Sequence, residues 1–383
     1  MNVLIIGFDT TVFLDESQTT GDARRRHIAY ADELAREEPG SRVFMITRTG
    51  RGSGLSPLQL SSNLWALPTN SRPGMFLLDA YRLGTRLCGN PGVGLVTTQS
   101  PFSDGVVGYL LRHRCRCKLL VQLHISDPDD PAWLLEHPLN RLRSTVARLV
   151  CQRADAVRTV SQTARARLHE RWRIPTERLF AVPVAPSLEA EEVPTEPGRT
   201  ILFVGRLSPE KDVPILLKAV QILHQEYSDV QAVVVGDGPE RESLEQMAAD
   251  LALAKCVSFA GPVPYKQLPA FYRSARVAAL PSRHESYGRV ILEAFAYARP
   301  VVATDTEGAR ELVRDGENGY IVPRGDPSAL AERLGHLLEH GDVAGTMGRA
   351  GWKRFVETYA PAVVRRSVVE MWLKVGAQPA ICA

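Results

Sequence analysis

Two runs of unbroken apolar residues, each closed by a glycine, set the pattern of the chain. They are Val3-Leu4-Ile5-Ile6-Gly7 and Ile201-Leu202-Phe203-Val204-Gly205. Each fits a short strand covered on both faces. After the second run the pattern alternates. A helix shows Val213, Leu216, Leu217, Val220 and Leu223 on one face, with Pro214 in its first turn, where a missing amide hydrogen costs little. A strand at Ala232–Val235 follows, then a helix at 240–251, a strand at 257–259, a helix at 268–275 and a strand at 277–280. A helix at 288–298, a strand at 301–303 and a helix at 327–339 complete the series. The first half predicts strands at 3–6, 43–47, 95–98, 119–123 and 156–160, with helices at 24–36, 105–111 and 139–153. Further helices are predicted at 351–357 and 361–374.

Such strand–helix repeats predict α/β architecture with parallel, doubly wound sheets. The Glu- and Pro-rich stretch 188–199 separates the two halves and reads as a linker. The expected organisation is therefore a Rossmann-like domain over 1–187, a linker over 188–199 and a second Rossmann-like domain over 200–360. Ligands of such sheets bind beyond the carboxyl ends of the strands.

Composition narrows the class. The 383 residues are 44% hydrophobic and 23% charged, which suits a globular protein of two domains. No run reaches the ~18 apolar residues of a membrane span, and the apolar opening is too short for a signal-peptide core. A cytoplasmic location is expected, with peripheral contact at the inner membrane face as an option. Charge supplies the reason for that option: residues 1–185 hold 24 Lys and Arg against 17 Asp and Glu, whereas residues 186–383 hold 22 against 26. A basic first half suits anionic lipid or a phosphorylated acceptor, and a solvated arginine surface is the plain alternative. No nucleic-acid partner is expected. His113, Cys115 and Cys117 fit no common zinc spacing, and the six cysteines read as reduced thiols.

The densest chemistry lies in Pro281-Ser282-Arg283-His284-Glu285-Ser286-Tyr287-Gly288-Arg289-Val290-Ile291-Leu292-Glu293. Here a strand runs through a loop into a helix. The amides around Tyr287, Gly288 and Arg289 are expected to be unpaired donors at a positive helix end, a seat for a diphosphate. Glu285 and Glu293 are eight positions apart, too far to share a proton. They suit two separated hydroxyl groups of one long ligand, unless Glu293 merely pairs with a cation on an exposed helix face. The loop Gly205-Arg206-Leu207-Ser208-Pro209-Glu210-Lys211-Asp212 offers two cations for a departing diphosphate, unless Lys211 pairs with Glu210 or Asp212. Gly236 and Gly238 lack the third glycine of a dinucleotide fingerprint, since position 241 is Arg, and read as a tight turn. In the first half, Thr20-Gly21-Asp22 precedes a helix, and His124 ends a strand. Asp127-Pro128-Asp129 has a D-x-D spacing in a Pro-rich loop without an obvious cage, so no metal is expected.

These runs together resemble a known family. G-R-x-x-P-E-K-D, V-V-G-D-G-P-E, P-S-x-x-E-S-Y-G-x-V-I-L-E-A, P-V-V-A-T and G-E-N-G-Y-I-V-P, in this order over residues 200–340, are similar to the motifs of glycosyltransferase family 4. Weaker support comes from Thr98–Phe102, Gln122–His124 and Ala154–Ser161. The resemblance implies a GT-B fold: two Rossmann-like domains facing across a cleft, with a C-terminal helix near 361–375 crossing back to the first. It implies retaining transfer of a sugar from a nucleotide diphosphate to a glycan or lipid-linked acceptor, with no metal and no other cofactor. Glu285 and Glu293 would be the two glutamates of the family's E-x7-E motif, Glu285 on the transferred sugar and Glu293 on the ribose. Arg206 and Lys211 would hold the diphosphate, with Gly205, Tyr287, Gly288, Arg289 and Val290 around it. Gly261 and Val263 would flank the base, His124 would cover the sugar, and Gly21 would match the acceptor-side loop. The departures from the family pattern are Thr20 where a second glycine is usual, Asp127 three residues after the histidine, and Pro183-Val184-Ala185-Pro186 near the junction. Two other readings share these residues: a nucleotide-sugar epimerase, and a non-catalytic subunit that binds nucleotide sugars.

Overall fold

The structure, a computed structural model, describes residues 1–14, 21–124, 129, 134, 137–194 and 198–378. The chain divides into two compact units, and each contains one sheet among the described residues.

Among the described residues, the first unit holds 1–14, those from 22 to 183, and those from 364 onward. Its strands are β1 (Val3–Gly7), β2 (Val43–Thr47), β3 (Leu58–Ser61), β4 (Leu64–Pro68), β5 (Leu95–Thr98), β6 (Lys118–Leu123), β7 (Ala156–Thr159) and β8 (Leu179–Ala181). They lie in the order β3-β4-β2-β1-β5-β6-β7-β8. All neighbours are parallel except β3 and β4. Every residue of β1, β2, β5 and β6 is buried, as helices covering both faces require.

The second unit holds residues 184–363 together with the described residue Gly21. Its strands are β9 (Thr200–Val204), β10 (Gln231–Val235), β11 (Val257–Gly261), β12 (Val277–Leu280), β13 (Val301–Thr304) and β14 (Gly319–Val322), in the parallel order β11-β10-β9-β12-β13-β14. The helix Val213–Glu226 turns Val213, Leu216, Leu217, Val220 and Leu223 into the core, as its 3.6-residue period demands.

The last helix, Pro361–Gly376, supplies its Val364 and later residues to the first unit. Arg365 Nε lies 2.9 Å from Glu33 Oε2, and the Trp372 ring meets Tyr30 edge-on with centroids 5.9 Å apart. The helix expected at 351–357 is the end of a longer one, Gly341–Arg354, followed by a π turn at Phe355–Tyr359. Four strands escape the apolar pattern, among them β8, which is only three residues long. Strand β3 sits at a sheet edge and is only partly buried, β4 ends in proline, and β14 opens with glycine. The helices Phe76–Gly89, Gln162–Trp172 and Glu307–Leu312 were also not among the expected elements.

At the carboxyl edge of the first sheet, His27 is buried, with Nδ1 2.7 Å from Ala23 O. Its Nε2 lies 3.3 Å from Gln99 Nε2. A neutral ring satisfies both contacts, Nδ1–H donating and Nε2 accepting. Burial first, then Arg26, lowers its pKa to about 4. The unfolded chain takes up this proton near the ordinary value of 6.5, so the contribution to stability is complete above that pH and is lost as pH falls toward 4. We expect the unfolding free energy of the wild type to fall on the order of 2–3 kcal/mol more than that of His27→Gln over this window. Chemical denaturation at a series of pH values measures this, and parallel curves would refute the assignment.

Candidate active site

In the second sheet the strand order reverses direction between β9 and β12, so the crevice of a doubly wound sheet opens there. The two loops leaving these strands, 205–212 and 281–288, are those that carry the densest chemistry in the sequence. They are fastened to each other by side chains and by backbone. Lys211 Nζ donates to Glu285 Oε2. Arg283 grips Asp212 with both Nε and Nη2, at 2.7 and 3.0 Å. The Arg283 amide donates to Glu210 O at 2.8 Å. Lys211 therefore pairs across the crevice rather than with its neighbours. Asp212, buried and left-handed at φ 48°, is committed to Arg283. Glu210 turns instead to Ser208 Oγ, at 2.6 Å, a bond that holds its carboxyl below the usual range.

The helix start differs from the expectation of three open donors. The Gly288 amide donates to Glu285 Oε1 at 3.2 Å, so Glu285 itself occupies one of them. A carboxylate at this end is favoured by the helix dipole. Gly288 permits the turn by adopting φ +77°. Arg289 and Val290 begin the helix Arg289–Ala296, and Tyr287 is buried just before it.

Glu293 is not on an exposed face. It is only 3% accessible, and its two oxygens have separate partners. Tyr272 OH donates to Oε2 at 2.9 Å, and Arg289 Nε to Oε1 at 3.2 Å. Tyr272 is wholly buried, stacked on Tyr297 with the planes 4° apart. Burial and then the Glu293 charge keep its phenol protonated, well above the ordinary pKa. Arg289 also lies over the Tyr265 ring, 5.4 Å from its centroid. Tyr272 has no motif around it and is 21 positions from its partner, so spacing alone gave no sign of it.

Beside these loops, at the carboxyl ends of β9, β10 and β11, a cavity of about 420 Å³ is lined by Gly205, Arg206, Gly236, Asp237, Pro262 and Val263 among others. Arg206 is exposed, and its guanidinium makes no hydrogen bond or ion pair among the described residues. Gly261 closes β11, and its carbonyl accepts the Gly236 amide at 2.9 Å. Gly236, at φ +133°, lies where a Cβ would collide with the Gly205 carbonyl. A Cβ at Gly238 would meet the Leu207 carbonyl. These two glycines let one loop pass against the next, as a turn-forming role requires.

In the first unit, His124 follows β6 and its side chain is exposed. Although the ring reaches water, the surrounding protein, then Arg158 and Arg26, hold its pKa below the ordinary value and keep it neutral. Gly21, grouped with the second unit, precedes Asp22 of the first, whose carboxylate pairs with Arg26 at 2.6 Å. Thr20, Asp127 and Pro128 lie outside the described residues. Asp129 is described, and its oxygens accept from Ser144 Oγ and, at 2.6 Å, from Trp172 Nε1. Cys115 and Cys117 are free thiols, as are Cys88, Cys151 and Cys256.

Two family profiles match the chain in succession. Residues 25–185 match the glycosyl transferase 4-like domain, and residues 186–354 match glycosyl transferases group 1. The chain belongs to glycosyltransferase family 4. This family-4 chain is 29% identical over 246 residues to the alpha-D-kanosaminyltransferase of Streptomyces kanamyceticus, covering 60% of this chain and 64% of the relative. It is 33% identical over 225 residues to the GDP-mannose-dependent alpha-(1-6)-phosphatidylinositol monomannoside mannosyltransferase of Mycolicibacterium smegmatis, covering 54% and 59%. The chain thus spans less than two thirds of the length of either relative. HepE of Anabaena, solved in complex with UDP, matches it with a TM-score of 0.75 at 21% identity, covering 98% of this chain and all of that one. The fold is GT-B.

The close approach at Gly236 makes a direct test of the loop geometry. Gly236→Ala should lower the unfolding free energy by about 2–4 kcal/mol, from a strained φ and a displaced Gly205 carbonyl. Urea denaturation reads this, and a loss below about 0.5 kcal/mol would show that the loops are not in contact.

Proposed function

We propose that this chain transfers a hexose from a UDP-sugar or GDP-mannose to a glycan or lipid-linked acceptor, with retention at the anomeric carbon, in the synthesis of surface polysaccharide or glycoconjugates. The observation that carries the proposal is the clasp of Lys211 on Glu285 at the strand-order reversal, beside a cavity rimmed by the uncommitted guanidinium of Arg206. A diphosphate leaving group gains charge as the glycosidic bond breaks, and two cations beside a helix start stabilise that charge. Pro262 and Val263 offer the cavity an apolar wall for a base. Glu293 presents a carboxylate fixed by Tyr272 and Arg289 to two ribose hydroxyls. Glu285, at the loop mouth, is assigned to the transferred sugar, and the family resemblance assigns His124 to sugar contact and Gly21 to the acceptor loop.

In this mechanism the carbon–oxygen bond to the diphosphate breaks first, leaving an oxocarbenium-like centre. The acceptor hydroxyl attacks from the face the diphosphate has left, and a diphosphate oxygen takes its proton. The route asks for no protein nucleophile. Arg206, Lys211 and the helix start supply the positive charge, so a metal is not required. The GDP-mannose dependence of one relative and the UDP bound to HepE support a nucleotide diphosphate and leave the base to experiment.

Thermal-shift titration with UDP, GDP and ADP and their sugars identifies the donor, because a ligand of the native state raises its stability. With that donor, Lys211→Ala should lower turnover on the order of 10²-fold, and EDTA should leave the wild-type rate unchanged. Near-normal turnover in the variant would overturn the role of Lys211. Proton NMR of the product anomer tests retention. Epimer formation without acceptor would favour an epimerase, and failure to release nucleotide diphosphate across a broad panel a binding subunit. Tyr272→Phe should weaken nucleotide affinity roughly five- to tenfold through a less fixed Glu293, with kcat nearly unchanged. An equal loss in kcat would place Glu293 at the reacting centre instead.

A further inference from the structure

The helix Asn140–Arg153 in the first unit carries leucine where a solvated helix carries polar side chains. Leu142 is 61% exposed and Leu149 44%. Seven residues apart, they project within about 20° of each other. Cys151, on the buried side, lies nine residues from Leu142 and hence about 180° around the axis. The leucines therefore point directly away from the core. Leu139, one residue before the helix, is 51% exposed and extends the stripe.

The stripe is flanked by cations. Arg141 and Arg148 fall on one side and Arg143 on the other, all exposed. The helix contains no acidic residue, and none of these three arginines is in an ion pair among the described residues. The adjoining helix Ser103–Cys115, which packs against it, adds Leu110 at 45% exposure. Single exposed leucines are ordinary, but a row of them between arginines is not. A second protein surface would need carboxylates set against three separate arginines around an apolar strip. A bilayer with anionic headgroups supplies negative charge on every side and an apolar layer beneath it.

We propose that the outward face of this helix docks on an anionic lipid surface, its leucines entering the headgroup boundary and its arginines meeting the phosphates. No helix among the described residues is long and apolar enough to cross a membrane, so this contact lies along the surface. It stands independently of the catalytic assignment, because no donor or acceptor enters its test.

The test is co-sedimentation of the full chain with vesicles of phosphatidylcholine alone and of phosphatidylcholine with about one quarter phosphatidylglycerol. Binding is expected only to the second, and to weaken as salt rises. Arg141→Glu with Arg148→Glu should lower the affinity at least tenfold, since each cation near such a surface is worth about fivefold. Leu142→Glu with Leu149→Glu should do the same. Both pairs are solvent-facing, and an unchanged melting temperature confirms that each variant is folded. Failure of the wild type to bind anionic vesicles at low salt would overturn the proposal. Equal binding by both folded variants would do so as well. So would a lipid-free dimer, seen by light scattering, that the leucine pair alone dissolves, because a second copy would then be the occupant.

Discussion

The candidate site depends on one constraint: two loops from adjacent strands must be held together while each carries charge. Lys211 and Glu285 make the link at the mouth, and Asp212 with Arg283 makes it behind. Lysine alone would be a flexible point charge on a long stem. Held by Glu285, it stands in one place, and the same carboxylate also accepts the Gly288 amide. One side chain thus joins a cation, a loop and a helix start. In a site meant for a diphosphate, that preorganisation is worth more than the number of charges.

Around this link, buried charged side chains are held by specific partners. Glu293 is inside the protein because Tyr272 and Arg289 each take one of its oxygens. An unpaired carboxylate in that place would be expensive. Arg299, wholly inaccessible, similarly spends its donors on the carbonyls of Tyr272, Arg273 and Pro194. It thereby closes the end of the helix that carries Tyr272. The orientation of Glu293 is thus traceable to a chain of contacts that begins well outside the site.

The two units share a fold and differ in charge. In the second, cations and carboxylates interlock around the crevice, as Lys211 does with Glu285 and Arg283 with Asp212. In the first, His27 and His124 are held neutral at the carboxyl edge, while Arg141, Arg143 and Arg148 stand exposed on one helix without an ion pair among the described residues. The net basic character of the first half is therefore not spread evenly. Part of it is organised beside exposed leucines.

The sequence by itself determined the architecture of the sheets and the location of the chemistry. Apolar runs ended by glycine placed β1 and β9, and the 3.6-residue period placed the helix Val213–Glu226, because burial on one face or on both leaves a local signature. Where burial was partial, as in β3, that signature vanished and the element was lost. The two charged loops were legible for the same local reason, since each joins a predicted strand to a predicted helix. What the sequence left open was which charge meets which. Lys211 had two acidic neighbours and chose a third partner 74 residues away, and Glu293 had the look of a surface residue until Tyr272 was found against it. Pairings of that kind depend on strand order, which brings β9 beside β12, and strand order is a property of the whole sheet rather than of any window of the chain.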